Sequence, residues 1–189
     1  MSTASPVSIC SNALQRLGDK PIADFEEGTK PASLAANLWP GVRDALLRSH
    51  PWNCATKRVI LAPAAESPAF DYTHKFMLPG DWLKTLQVGR RGVAPEYRVE
   101  GRCILSDATQ LPLVYVFRNE VTATWDDSLV NAATLAMAAA LAYPITASTS
   151  LRESLLQEAQ YVLRQAKAMD GQDDPPEELE ASGLLRARF

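Results

Sequence analysis

The stretch from Leu47 to Ala62, LRSHPWNCATKRVILA, is where the character of the sequence changes. Before it, apolar residues recur every three or four positions, as they do along one face of a helix, and after it they follow the patterns of β-strands. Pro51 fixes the transition, because the residue before a proline is pushed out of the helical region. We therefore expect a helix that ends before Pro51 and a strand that begins near Cys54.

Two helices are predicted upstream of this stretch. The first is capped by Ser5, opens at Pro6 and stops at Gly18. The second is capped by Thr29 and carries leucine and valine at intervals of four along one stripe. Pro40 is expected to kink this second helix or to split it in two.

The region from Ala55 to about Trp125 predicts six short strands separated by turn signals. Gly101, between YRVE and RCILS, predicts a tight hairpin because glycine can adopt a positive φ. We expect an antiparallel sheet or a small barrel from the segments TKRVILA, DYTHKFML, LKTLQVG, EYRVE, RCILS and LVYVFRNEVTA.

Two more helices are predicted downstream. The third begins near Asp126, is apolar on nearly every side up to Pro144, and should be the central helix of the core. It is shorter than the roughly 20 apolar residues of a membrane span, so a buried helix and no membrane contact are expected. The fourth opens near Thr149 or Ser150 and ends at Gly171.

The predicted fold class is α+β. Residues 1–54 and 126–170 should form a four-helix bundle, and residues 55–125 an inserted antiparallel sheet or small barrel module. Residues 171–189 should form an extended C-terminal tail, because two consecutive prolines forbid a helix there. Two interpretations of this tail remain open, a disordered terminus and a docking segment. Its apolar and basic end consists of Leu184, Leu185, Arg186, Arg188 and Phe189.

Composition suggests neither a nucleic-acid nor a membrane partner. The 189 residues carry a net charge of -3, which provides no basic footprint for tight binding of nucleic acid or of an anionic membrane. Residues 126–189 hold 5 basic and 10 acidic side chains, against 14 and 12 in residues 1–125. Three widely spaced cysteines argue against a disulfide framework. Because the sequence also contains no secretory signal, we expect the protein to reside in a reducing cytoplasm.

The sequence contains few candidate catalytic or metal-binding residues. His50 and Cys54 are the one close pair of metal-binding residues, with His74 and Cys103 far from them, so neither a metal site nor a bound cofactor is expected. A Cys-His dyad would use the same pair, but no oxyanion-donor motif accompanies it. Nucleophile-elbow, phosphate-loop and dinucleotide motifs are missing from the sequence.

Two pairs of basic residues could touch phosphate. Lys57 and Arg58 follow the helix-to-strand transition, and Arg90 and Arg91 lie in a glycine-bounded loop. Solvated strand ends and hairpin tips explain such residues more often than a binding site does.

The order of motifs resembles the tail tubular protein A family, the head-to-tail adaptors of short-tailed bacteriophages. The resemblance covers about residues 8–170, and its most specific signatures are RDALLRSHPWN and LPGDWLK. It rests on the segments ICSNALQRLGDKPI, LWPGVRDALLRSHPWNCATKRVILA, FDYTHKFMLPGDWLKTLQV, YRVEGRCILSD and LVYVFR, and on the alanine-rich helix.

The resemblance implies a structural protein of the virion rather than an enzyme. Family members form a ring, typically of twelve copies, between the portal and the tail nozzle, tail tubular protein B, with tail fibres as a further partner. Such a ring continues the DNA ejection channel, so double-stranded DNA would pass through it transiently and without sequence specificity. The implied location is the tail or neck of the virion, and the host cytoplasm during assembly.

Within this interpretation we expect Leu184 to Phe189 to reach the portal, and the loop of Arg90 and Arg91 to face the nozzle. Two alternatives remain from the residues themselves. One is a small cytoplasmic hydrolase that uses His50 and Cys54, and the other is a DNA-binding regulator that reads duplex with the first two helices.

The segment from His50 to Asn53, which we call the elbow, is interpreted as a packing element. Pro51 ends the helix, and Trp52 should fill the space between the helical and β parts. His50 and Asn53 are expected to satisfy backbone groups freed at the helix end.

Overall fold

The computed structural model describes residues 4–173, an α+β chain of four helices and two small antiparallel sheets. The six strands lie between α2 and α3 in the chain, as the sequence predicted. The helices are α1 (Pro6–Arg16), α2 (Lys30–Arg48), α3 (Asp127–Thr146) and α4 (Thr149–Asp170). The strands are β1 (Thr56–Leu61), β2 (His74–Met77), β3 (Trp82–Val88), β4 (Tyr97–Glu100), β5 (Cys103–Ser106) and β6 (Leu111–Phe117).

Each helix begins at a polar cap that satisfies a free backbone N–H. Ser5 caps α1 in a reciprocal arrangement with Ser8, and Thr29 caps α2, as predicted. Asp126 accepts the backbone N–H of Leu129 at the start of α3, and Ser148 caps α4.

Pro40 does not divide the second helix. Helix α2 is one helix of 19 residues that continues through Pro40, so the prediction of a split is wrong. Pro40 is exposed, so water can reach the carbonyl it leaves free, while Trp39 and Leu46 lie on the buried side of the helix. Burial of that apolar side outweighs the missing backbone hydrogen bond.

The strands form two sheets rather than one sheet or a barrel. Sheet A has the order β1-β6-β3 and sheet B the order β2-β5-β4, and every pairing within them is antiparallel. The hairpin predicted at Gly101 is confirmed: Glu100 pairs with Cys103, and Gly101 has a φ of 57°.

Two apolar clusters hold the described chain together. The larger one joins the helices and also contains Leu83 of β3 and Val116 of β6. The smaller one lies between the sheets and is formed by Leu61, Phe76, Leu78, Val88, Ile104, Leu111, Leu113 and Tyr115. The β strands therefore contribute to the helical core as well as to their own.

Helix α3 is central, as expected. It contacts α1, α2 and α4, and its small alanine side chains allow those helices to approach closely. By length and composition it is the one helix within residues 4–173 that could cross a membrane, but 56% of its most apolar window is buried inside the protein. Core helices have the same composition, and these contacts match that role.

Candidate functional site

The elbow is built around Trp52, as the sequence predicted. Its side chain is fully buried, and its Nε1 donates a hydrogen bond to the Leu46 carbonyl oxygen at 3.1 Å. The His50 ring packs edge-on against Trp52 with the ring centroids 4.8 Å apart. Pro51 separates the two residues at the point where α2 has ended. These contacts fix the angle at which the chain leaves the helix.

Asp170, the last residue of α4, closes the elbow. Its carboxylate accepts the backbone N–H of Asn53 at 3.1 Å and lies 3.2 Å from His50 Nε2. The Asn53 side chain in turn donates to the Asp170 carbonyl oxygen at 3.0 Å. Burial raises the pKa of Asp170 above its ordinary value, and the Asn53 hydrogen bond and the His50 charge oppose that shift only in part.

This arrangement corrects the role expected for His50 and Asn53. Asn53 satisfies a carbonyl at the end of α4 rather than of α2, and His50 contacts a carboxylate instead of a backbone group. The end of α2 is satisfied by Ser49, whose Oγ donates to Leu46 at 2.7 Å. Lys167 donates to the Ser49 carbonyl oxygen at 3.0 Å.

Asn119 joins the two points where the chain passes between helices and strands. Its Nδ2 donates to the Cys54 carbonyl oxygen at 2.7 Å and to Thr124 Oγ1 at 2.8 Å. Its Oδ1 accepts the backbone N–H of Val121 at 3.1 Å. Sequence reasoning missed Asn119; a polar residue directly after a predicted strand was the available signal.

The surroundings of Cys54 and His50 do not favour a nucleophilic Cys-His dyad. Burial, followed by the charges of Asp126 and Asp170, raises the pKa of the Cys54 thiol to about 12. At neutral pH the thiol is therefore protonated and a poor nucleophile. His50 has Asp170 as its polar partner.

His74 and Cys103, the other two residues of metal-binding type named from the sequence, lie in β2 and β5 of sheet B. His74 pairs with Ser106 between β2 and β5, and Cys103 donates through its Sγ to the Glu100 carbonyl oxygen at 2.9 Å. Within residues 4–173, no three His, Cys, Asp or Glu side chains are grouped so that they could hold a metal ion.

Arg90 and Arg91 lie at the outer end of sheet A. Gly89 precedes them with a φ of 85°, and its N–H donates to the Pro112 carbonyl oxygen at 2.8 Å. Together with Arg58 of β1 the two arginines border a concave surface of about 730 Å³, which we call the arginine face. Its other lining residues are Val59, Ile60, Gln87, Gly89, Pro112, Leu113 and Val114.

A second concave surface lies on the helices. We call it the helical groove; its volume is about 300 Å³ and it is bordered by residues of α2, α3 and α4. Leu156, one of its lining residues, remains 38% exposed. Apolar side chains dominate the groove, whose lining consists of Val42, Ala45, Leu46, Ser49, Ala132, Ala136, Leu156, Ala159, Gln160 and Leu163.

The residues predicted to contact the portal, Leu184, Leu185, Arg186, Arg188 and Phe189, lie outside the described residues. A comparison of the chain with protein-family models and with curated proteins found no match.

Proposed function

We propose that this chain is a structural virion protein, the head-to-tail adaptor that joins the portal to the tail nozzle and continues the DNA ejection channel. It acts without catalysis or a cofactor, as one copy in a ring, in the neck of the virion and, during assembly, in the host cytoplasm. The proposal begins with the motifs that resemble the tail tubular protein A family, in particular RDALLRSHPWN at the elbow.

One structural observation carries the proposal furthest: exposed apolar surface lies on both the helical and the β part. A ring of identical subunits needs two different, complementary faces on each copy. The helical groove provides one candidate face, with Leu156 in its lining. On the β part, large apolar side chains are exposed at Ile60, Phe70, Met77, Val93, Tyr97 and Val99.

The connection between the two parts supports an adaptor as well. Helix α2 and sheet A are tied by Arg48, whose guanidinium donates to the Leu83 carbonyl oxygen and lies 5.9 Å from the Trp82 ring centroid. Arg118 beyond β6 donates to Asp44 of α2 at 2.8 Å. A subunit that joins two different rings has to keep its binding surfaces in a fixed relation, and these contacts help to do so.

In the proposed arrangement residues 1–54 and 126–170 form a four-helix bundle, and residues 55–125 are the inserted β module. The tail from residue 171 reaches the portal through Leu184 to Phe189, and Arg90 and Arg91 face the nozzle. The net charge of -3 suits a channel that DNA must leave, because a strongly basic wall would hold phosphate.

Assembly on the portal tests the proposal. The protein would be purified alone and with the portal protein of the same genome, and both samples imaged by negative stain. We expect rings stacked on the portal. A chain that stays monomeric and never binds the portal would contradict the adaptor function.

A matched pair of variants tests the subunit interface. Leu156→Glu places a charge in the lining of the helical groove, whereas Gln157→Glu places the same charge on an exposed neighbour. Ring formation should be lost in the first variant and kept in the second, with both proteins folded by circular dichroism. Deletion of residues 172–189 tests the tail separately. Undiminished portal binding by the shortened chain would show that the tail is not part of the interface.

A further inference from the structure

The arginine face carries positive charge that nothing within residues 4–173 neutralises. Arg58, Arg90 and Arg91 border it, all three are exposed, and none of them forms an ion pair with another described residue. No carboxylate belongs to its lining. Three guanidinium groups around a concave surface favour an anionic partner that can lie across it.

The register of sheet A places this face on the side of the sheet that meets the helices. Val116 of β6 belongs to the helical core, and Val114 lies on the same side because side chains alternate along a strand. Arg58 is the partner of Val114 on β1. The helices cover this side near the elbow, and the arginine face is its continuation toward the outer end of the sheet.

The described chain ends close to the beginning of this face. Asp170 accepts the backbone N–H of Asn53 at 3.1 Å, and β1 starts three residues later at Thr56. Residues 173–180, DDPPEELE, follow directly in the sequence with five carboxylates and no basic residue. The acidic part of the chain therefore starts beside the strand that carries Arg58.

The chain beyond Asp173 is long enough to reach the arginine face. Arg58 is five residues from Asn53, at most about 17 Å away. The backbone N–H groups of Gln172 and Asp173 donate to the carbonyl oxygens of Met169 and Asp170, so the length available to the segment is counted from Asp173. Val88, the last residue of β3 before Gly89 and the two arginines, is level with Leu113 and Val59 in sheet A. Glu180 is seven residues beyond Asp173, and its reach of about 23 Å takes the end of the segment to that level.

We propose that the acidic segment 173–180 binds the arginine face of its own chain. Carboxylates of the segment pair with Arg58, Arg90 and Arg91, and the two prolines keep the segment from continuing α4 and favour an extended path. Any external partner of these arginines then has to displace the segment. The inference concerns the free chain, before any nozzle covers Arg90 and Arg91, and it does not depend on the adaptor function.

Cleavage by glutamyl endopeptidase measures the binding, because the enzyme cuts after Glu177, Glu178 and Glu180 only when the segment is free. Cleavage of the full chain at these sites would be followed by mass spectrometry. In R58Q/R90Q/R91Q we expect cleavage to accelerate roughly threefold to tenfold, the size that a few exposed ion pairs support. High salt should accelerate cleavage of the wild type in the same way.

The matched control is K20Q/R152Q/R164Q, which removes three exposed cations from the helical part. This control should cut at the wild-type rate, and R90Q/R91Q provides a milder test should the triple variant fold poorly. Equal cleavage rates in the wild type and the arginine variants would overturn the proposal. Protection that grows with protein concentration would also overturn it, since binding would then be between chains.

A duplex oligonucleotide separates a nucleic-acid site from the proposed one. If the wild type binds duplex DNA, R58Q/R90Q/R91Q does not, and deletion of residues 173–180 leaves the affinity unchanged, the face serves DNA and the proposal fails. Tighter DNA binding after that deletion supports it, because the segment would have been competing for the same arginines.

Discussion

Asp170 and His50 meet at 3.2 Å although they belong to the last helix and to the residues just after the second one. The contact lies beside the backbone N–H of Asn53, which the same carboxylate accepts, so the end of α4 and the start of the β part share one buried acidic group. Two different substitutions at Asp170 separate the hydrogen bonds from the charge.

Asp170→Ala should lower the free energy of unfolding by about 1–3 kcal/mol, because the Asn53 N–H and His50 lose their acceptor. Asp170→Asn keeps an oxygen that can accept the Asn53 N–H and removes a carboxylate whose pKa burial raises, so its cost should be smaller. Urea denaturation followed by tryptophan fluorescence measures both. Equal losses in the two variants would mean that the charge, and not the acceptor, stabilises the elbow.

Trp52→Ala should cost about 3–5 kcal/mol, since a fully buried indole leaves a cavity that the neighbouring helices cannot fill. His50→Gln should cost much less, because glutamine can still donate to Asp170 and the site is partly solvated. Both values come from equilibrium unfolding. A loss of similar size in the two variants would show that the packing of Trp52 is not what holds the elbow.

Tyr115 should make stability fall at alkaline pH. Burial, followed by its hydrogen bond to Asp81 at 3.0 Å, raises the pKa of Tyr115 from 10.0 to about 12. A raised pKa stabilises the folded state below pH 10, and this contribution is lost as the pH rises through the folded value. Between pH 10 and 12 the loss from this group should be about 1.4 kcal/mol per pH unit.

The measurement is the difference in unfolding free energy between the wild type and Tyr115→Phe as a function of pH. Subtracting the two free energies cancels the contribution of the other titrating groups. The difference between the wild type and the variant should therefore be constant below pH 10 and decrease above it. A difference that does not change up to pH 12 would show that the phenol ionises equally in the folded and unfolded chain.

Gly89→Ala should displace the loop that carries Arg90 and Arg91. Gly89 has a φ of 85°, and a Cβ there would lie 2.4 Å from Pro95 Cδ and 2.6 Å from the Val93 carbonyl oxygen. We expect a loss of about 1–3 kcal/mol, the cost of a strained backbone position. Gly92→Ala is the control, because its φ is also positive, at 76°, but no atom lies within 4 Å of the added Cβ. Equal losses would assign the effect to φ alone.

Local signals predicted the helices well. Ser5 and Thr29 cap the first two helices as their positions before an apolar periodicity indicated, and Gly101 forms its hairpin. Such features depend on residues within one turn of each other, so the sequence contains all that is needed. Pro40 is the exception, because burial on the other side of α2 decided its outcome.

The elbow shows where prediction from sequence stops. Its position followed from Pro51, and the burial of Trp52 from its size, but the partners of His50 and Asn53 did not follow. Asp170 reaches them from the far end of the chain, and nothing near it in sequence marks it as buried. The division of six strands into two sheets likewise depends on pairings between distant segments.

Asn119 gives the β region the topology of a closed loop. Thr56 and Val116 are paired neighbours in sheet A, and Asn119 ties the returning chain to Cys54 at 2.7 Å. The residues between Thr56 and Val116 therefore leave the helical part and return to it at one place, as one long loop. Insertion of further residues into this loop adds an entropic cost of loop closure that grows only with the logarithm of the loop length. Insertions in the outer loops should therefore be tolerated, provided that Leu83 and Val116 continue to complete the helical core.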